Sequence, residues 1–133
     1  KIAAFLFVLL MTLLLGDLLL YNLQQKNEWS YSELSSRAEL LQENHREIMT
    51  FKKKIDEIVS RNKVADFSRW SRDDQGNLVS NRNELENLLV FYNVRAQTYN
   101  SNMARLDWKF AKDVMAVPKG QKLLPREFEV IGP

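Results

Sequence analysis

The chain has 133 residues, a formal net charge of +2 and a hydrophobic fraction of 45%. This length fits one domain, and the small net charge, with acidic and basic residues interleaved, excludes the concentrated basic surface of a nucleic-acid-binding protein. The absence of cysteine excludes disulfides, thiolate metal sites and cysteine nucleophiles. With a single histidine, a zinc site would have to rely on carboxylate ligands.

Residues 1–23 are predicted to form a transmembrane anchor in contact with membrane lipid. They contain the apolar run IAAFLFVLLMTLLLGDLLLYNL, which as a helix at ~1.5 Å per residue is roughly 33 Å long, enough to cross a hydrocarbon core of about 30 Å. No small-residue cleavage site follows the run, and Tyr21 and Trp29 lie on its flank, where aromatic rings favour the headgroup region. We therefore expect a single uncleaved span, with the soluble part outside the cytoplasm.

Gly16 and Asp17, inside this run, are candidate contacts with a membrane partner. An ionised carboxylate costs roughly 2.5–3.5 kcal/mol near the centre of a membrane helix and less towards its edge, while a glycine permits close helix approach. Three interpretations of Asp17 stay open: it is hydrated near the interface, it contacts a partner helix, or it carries a proton.

The soluble part, residues 24–115, is predicted to be a long antiparallel helical hairpin that continues from the anchor. Its first helix is predicted over about residues 27–63, where neither proline nor glycine occurs and apolar residues recur every seven positions. Charged residues occupy the other faces, so the apolar residues form a coiled-coil-like seam. The seam residues predicted on this helix are Leu34, Leu41, Ile48 and Ile55.

A loop is predicted over residues 64–79. It is placed at the Asp-Asp-Gln-Gly-Asn cluster, where Gly76 or Asn77 can adopt a positive φ and reverse the chain. Arg69, Trp70 and Arg72 are candidate partner contacts at the loop tip, because tryptophan and arginine are enriched at binding hot spots. A tryptophan that caps the open end of the hairpin is an equal alternative.

The second helix is predicted over about residues 80–112 and contains the pair Tyr-Asn twice. Tyr92 and Tyr99 are seven residues apart and fall inside an apolar stripe, so each can bury its ring and send its hydroxyl to the edge. Asn93 and Asn100 lie at the boundary of the stripe, where an amide can bond to a neighbouring helix. The seam residues predicted on this helix are Leu85, Leu89, Tyr92, Ala96, Tyr99, Met103, Leu106 and Phe110.

Residues 116–133 contain all three prolines and are predicted to be an extended tail. Their large apolar residues favour docking over disorder, and Phe128 and Val130 alternate with glutamates as in a short strand. A two-helix hairpin buries little area, so something should cover the stripe. The candidates are a third segment of the chain, a second copy, or a partner protein.

The segment NELENLLVFYNVRAQTYNSNMA, behind an anchor and an amphipathic helix, resembles the LemA family of single-pass bacterial membrane proteins. Tyr92-Asn93 and Tyr99-Asn100 match the family's Tyr-Asn, five residues, Tyr-Asn pattern, and Trp29 matches the tryptophan at the start of its first soluble helix. The chain departs from the family in the short middle segment, residues 62–80, and in lacking Phe-Pro after the second Tyr-Asn. The resemblance implies a helical domain anchored in the bacterial inner membrane, without a recognised enzymatic activity or functional residues to carry over.

No glycine-rich phosphate loop, nucleophile elbow or plausible carboxylate pair occurs in the chain. We therefore expect no enzymatic activity, no cofactor or metal and no small-molecule substrate. The expected function is that of a membrane-anchored scaffold or assembly protein, either as a homo-oligomer or as an accessory subunit of a larger membrane complex. The alternative is an ion- or proton-coupled membrane subunit that uses Asp17 as its carrier.

Overall fold

The computed structural model describes residues 11–12, 15–19 and 30–132. This part of the chain is all-helical, and two long helices pack against each other as an antiparallel hairpin. Helix α1 spans Tyr31–Arg61 and helix α2 spans Arg72–Arg105. The predicted all-α class and the pair of packed helices are confirmed.

Side-chain caps define both ends of α1. At its start, the Ser30 hydroxyl accepts the backbone N–H of Glu33 at 3.3 Å, which satisfies one of the free donors of the first turn. At its end, the side-chain amide of Asn62 donates to the carbonyl of Ile58 at 2.9 Å. The helix therefore ends at Arg61, two residues before the predicted end, and the predicted start at residue 27 lies outside the described residues.

The predicted loop over residues 64–79 is wrong at its C-terminal side, because α2 already begins at Arg72. Ser71 is the N-cap, and its hydroxyl accepts the backbone N–H of Asp74 at 3.0 Å. Asp73 and Asp74 occupy the first turn, where carboxylates are stabilised by the helix dipole. The polar cluster that suggests a turn is thus the start of a helix, and Gly76 is helical.

The reversal of the chain occupies residues 62–71 and is stabilised by side-chain hydrogen bonds. The Trp70 indole N–H donates to the Ala65 carbonyl at 2.9 Å, and the Gln75 amide donates to the carbonyls of Phe67 and Trp70 at 3.0 and 3.1 Å. The side chains of Arg61 and Asn62 each donate to Asp74 at 2.9 Å. These bonds join the two helix ends across the reversal.

The core lies along the contact between α1 and α2. The predicted seam residues are buried except Ile55, Leu85 and Leu106, which are half-buried. Near the reversal, Ile58 and Leu78 are the buried residues instead. A straight helix has 3.6 residues per turn, so a strict seven-residue stripe drifts around it by about 20° per heptad. The seam shifts to neighbouring positions for this reason.

After α2 the chain turns sharply. Asp107 and Trp108 adopt left-handed backbone conformations, with φ of 52° and 51°, and the Trp108 N–H donates to the Met103 carbonyl at 2.8 Å. A one-turn helix, α3, spans Lys109–Lys112, and a 3₁₀ turn spans Val114–Ala116. The remaining residues, 117–132, contain neither helix nor strand and are called the tail.

Two glycines in contrasting conformations provide a stability test of this fold. Gly76 lies inside α2, whereas Gly120 has φ +84° in the β-turn closed by the Gln121 N–H and the Pro118 carbonyl at 3.0 Å. A Cβ at either position meets no described atom within 4 Å. We expect Gly76→Ala to raise the free energy of unfolding by roughly 0.5–1 kcal/mol. Gly120→Ala should lower it by about 1 kcal/mol or more, because alanine disfavours positive φ.

Urea unfolding of the purified chain, followed by far-UV circular dichroism, measures both effects. Equal effects of the two substitutions, in either direction, would contradict the assigned backbone conformations.

Within residues 11–12, 15–19 and 30–132, no helix is long and apolar enough to cross a membrane. Most of the predicted anchor, residues 1–23, lies outside these ranges.

Candidate functional site

The tail lies along α2 and is held there by the two asparagines of the Tyr-Asn repeat. The Asn100 side chain donates to the Phe128 carbonyl at 2.9 Å and accepts the Phe128 N–H at 2.8 Å. Asn93 makes the same pair of bonds with the backbone of Ile131, at 2.9 and 2.9 Å. Each carboxamide therefore satisfies both backbone polar groups of one tail residue. We call Asn93 and Asn100 the clamp.

Two tyrosine hydroxyls extend the same line of contacts. Tyr99 donates to the Pro125 carbonyl and Tyr31 donates to the Lys122 carbonyl, each at 2.6 Å. Together with the clamp, these bonds engage the tail backbone at residues 122, 125, 128 and 131, which is every third residue.

This three-residue interval matches the seven-residue interval between the asparagines. Seven residues of an α-helix rise by about 10.5 Å, and three residues of an extended chain span roughly 9–10 Å, whether in polyproline II or strand geometry. Every third residue of an extended segment therefore lies opposite every seventh residue of the helix. The seven-residue spacing of the Tyr-Asn repeat thus matches the three-residue spacing of the tail residues that it holds.

Side chains of the tail add apolar contacts to this backbone recognition. Leu124 is buried, and its N–H donates to the Phe110 carbonyl at 2.9 Å. The Phe128 ring meets the Tyr99 ring edge-on, with centroids 5.1 Å apart, and the Arg126 guanidinium lies 4.7 Å from the centroid of the Trp108 ring. The tail is therefore the third segment that covers one side of the α1–α2 seam.

Two sequence expectations about this region change. The described tail contains no strand, because its backbone bonds to side chains of the hairpin and not to a second strand. These bonds recur every third residue, whereas the alternation of Phe128 and Val130 suggests a period of two. The asparagines bond to the tail backbone and not to a neighbouring helix. Sequence reasoning missed the clamp, although Pro125, Phe128 and Ile131 already carry the three-residue spacing.

Burial changes the acid–base behaviour of both seam tyrosines. Desolvation raises the pKa of the Tyr99 hydroxyl well above its usual value, and the nearby Tyr31 raises it further. The pKa of Tyr92 is also raised, first by burial and then by the negative charge of Glu129. Both tyrosines are thus held in their neutral, hydrogen-bond-donating form.

Stability should consequently fall at alkaline pH. The tyrosines of the unfolded chain ionise near pH 10, whereas the folded chain keeps Tyr99 protonated, so the unfolded state loses protons first and unfolding is favoured as pH rises. The contribution of Tyr99 is fully present below about pH 10 and is lost above it. Urea midpoints measured on either side of this pH should fall more steeply for the native chain than for Tyr99→Phe. Parallel pH profiles for the two proteins would contradict this account.

A solvent-open cleft of about 730 Å³ lies between α1 and the tail. It is lined by Gln42, His45 and Arg46 of α1, by Tyr92 and by tail residues 127–131. His45 is exposed, and its ring centroid lies 6.2 Å from that of Tyr92. Among the described residues, no group of three or more histidines and carboxylates could hold a metal ion.

The opposite side of the hairpin has no covering segment among the described residues. A hollow of about 240 Å³ lies there between the helices, and its lining is mainly apolar. Leu40 on α1 and Phe91 and Val94 on α2 are exposed on this side. We call this surface the open face, and define it by Arg37, Leu40, Asn44, Phe91, Val94, Arg95 and Thr98.

The predicted loop-tip contacts divide into two groups. Trp70 is half-buried, with its indole bonded to Ala65 and its ring 5.3 Å from the ring of Phe67. This is the arrangement expected of a tryptophan that caps the end of the hairpin. Arg69 and Arg72 are exposed at the same end.

The predicted membrane contacts Gly16 and Asp17 fall in the helical residues 15–19. Gly16 is half-buried and Asp17 is exposed. A Cβ at Gly16 would meet no other described atom within 4 Å, so the described chain itself supplies no close neighbour at this glycine.

Comparisons with protein-family models, curated proteins and solved structures found no match to this chain.

Proposed function

We propose that this chain is a non-catalytic, membrane-anchored helical assembly protein. In this proposal residues 1–23 hold the hairpin at a bacterial inner membrane, with the hairpin outside the cytoplasm, and the hairpin binds a protein partner. The partner is either a second copy or a subunit of a larger membrane complex. The LemA-like Tyr-Asn repeat and the apolar N-terminal run motivate the membrane setting.

The open face is the observation that carries the proposal. Phe91 and Val94 are each 60% exposed, and Leu40, which lines the same hollow as Val94, is 40% exposed. Grouped apolar side chains on a helical surface are typical of protein-binding sites. Aromatic residues in such a group are frequent energetic anchors, so Phe91 is the residue expected to contribute most.

The use of the polar groups also favours a structural role. The clamp asparagines and the Tyr31 and Tyr99 hydroxyls are engaged with the tail backbone. These groups position a segment of the chain. The docked tail covers one side of the hairpin, and the open face is the surface on the other side.

Photo-crosslinking in membranes tests the proposal. A photoreactive amino acid at Phe91 should give covalent protein adducts, whereas the same group at Lys119, which is exposed in the turn at the start of the tail, should give few. A second probe at Trp70 asks whether the hairpin end is also touched. If the solubilised chain were a monomer, and no probe gave adducts in membranes, the proposal would be wrong.

A further inference from the structure

We propose that the open face binds the open face of a second copy of this chain, forming a four-helix arrangement with the two hairpins pointing the same way. This inference rests on the proposed function, since it names the partner of that surface. In it, α1 of one copy lies antiparallel to α2 of the other, as α1 and α2 do within one chain.

The open face contains a side-chain amide, that of Asn44, whose nitrogen has no hydrogen-bond partner among the described residues. Asn44 is only 7% exposed, and this nitrogen is buried. Asn44 lies one turn after Leu40 and Leu41 on the same side of α1, next to the hollow that they line. A buried donor left unsatisfied is costly, and a rotation of the Asn44 side chain towards the open face would bring this donor to a hydrogen-bond acceptor on a covering segment. A purely apolar cover, such as lipid, would leave the cost in place.

Charged residues along the α1 and α2 edges of the open face form a pattern that is complementary to itself. The α1 edge carries Glu43 and, three turns later, Lys54, while the α2 edge carries Glu84 and, three turns later, Arg95; all four are exposed. Within the chain, the ring centroids of His45 and Tyr92 are 6.2 Å apart, which places residue 45 of α1 level with residue 92 of α2. The same register between copies places Glu43 opposite Arg95 and Lys54 opposite Glu84. Opposite charges therefore meet at both positions, and the surface is complementary to itself.

Two-fold symmetry of the proposed dimer is compatible with two membrane anchors. A two-fold axis parallel to the hairpin relates two copies whose residue-30 ends lie on the same side. Two anchors that enter one membrane require this orientation. The pairing also covers Phe91, Val94 and Leu40, so the interface buries this exposed apolar group in each of the two copies.

Charge exchange in the full-length chain, reconstituted in lipid nanodiscs or detergent, tests the proposal. Native mass spectrometry and sedimentation measure the fraction of dimer. We expect the native chain to dimerise, and Glu43→Arg and Arg95→Glu each to weaken the dimer at least tenfold. The double variant, which exchanges the pair, should recover most of the native affinity. Glu86→Arg, an equal charge change at an exposed position of α2 outside the open face, should leave the dimer unchanged.

The outcomes separate this inference from the proposed function. A native chain that stays monomeric, or a dimer that resists both single reversals, overturns the pairing. If the chain is monomeric and the probe at Phe91 still captures another membrane protein, the second-copy proposal fails while the assembly function stands. If the chain is monomeric and the probe captures nothing, both fail. Unchanged circular dichroism of each variant shows that lost dimerisation is not lost folding.

Discussion

Replacing both Asn93 and Asn100 with alanine should release the tail from the hairpin. The double substitution removes four hydrogen bonds to the backbone of Phe128 and Ile131. At about 1 kcal/mol net for each bond, docking of the tail weakens by roughly 2–4 kcal/mol.

Limited trypsin digestion measures this release, because Lys122 and Arg126 lie in the tail. Cleavage at these residues should accelerate at least tenfold in the double variant, since proteolysis follows the population of the opened state. Asn87→Ala is the matched control, an exposed asparagine on the same helix, and it should leave the cleavage rate unchanged. Native cleavage rates in the double variant would show that the clamp does not hold the tail.

Tyr99→Ala should be the most destabilising single substitution at the seam. Tyr99 is 0% exposed, it donates to the Pro125 carbonyl, and its ring packs edge-on against Phe128. Truncation of a buried aromatic side chain to alanine costs about 3–5 kcal/mol. We expect a loss of this size in the free energy of unfolding, measured by urea denaturation, together with release of the tail.

Tyr99→Phe separates the hydroxyl from the ring. It keeps the ring and removes one hydrogen bond, so it should cost about 1–2 kcal/mol. Tyr92→Phe is the control, because the Tyr92 ring is also buried but its hydroxyl has no hydrogen-bond partner among the described residues. A loss at Tyr99→Phe no larger than that at Tyr92→Phe would mean that the bond to Pro125 contributes nothing.

The helices and their seam can be predicted from the sequence because burial depends on periodic position. Leu34, Leu41 and Ile48 recur at the helical interval and are buried against Tyr92 and Tyr99. Side chains of this kind follow one physical rule, the removal of apolar surface from water. The three seam residues that are half-buried lie where the stripe drifts or the hairpin ends.

The position of the reversal cannot be read from local propensity alone. Gly76 favours a turn by composition, but Ser71 and the acidic residues after it start a helix first. The contacts that fix the reversal, such as the bond between Trp70 and Ala65, are specific side-chain geometries. No periodic pattern encodes them.

The clamp was harder to predict because it joins residues far apart in the chain. Asn93 and Ile131 are separated by 38 positions, and Asn100 and Phe128 by 28. The relevant signal is a match between two periods, seven on the helix and three in the tail. Either period alone has a simpler interpretation, a helical seam in one case and a proline-containing coil in the other.

The two sides of the hairpin thus differ in their expected roles. The tail covers one side through the clamp, and the open face on the other side is the proposed partner surface. The docked tail bonds to Tyr31 of α1 and to Tyr99 of α2, so it links the two helices that form the open face. Release of the tail by the clamp substitutions should therefore weaken assembly as well as stability.

The central claim is that hairpin side chains hold the tail backbone at every third residue from 122 to 131. Amide hydrogen exchange along the tail tests this claim most directly. We predict slow exchange at Leu124, Phe128 and Ile131, whose N–H groups donate to the hairpin, and fast exchange at Glu127, Glu129 and Val130. Uniformly fast exchange would mean that the tail is free. Protection at alternate residues would mean that it is a strand, and either result would contradict the account.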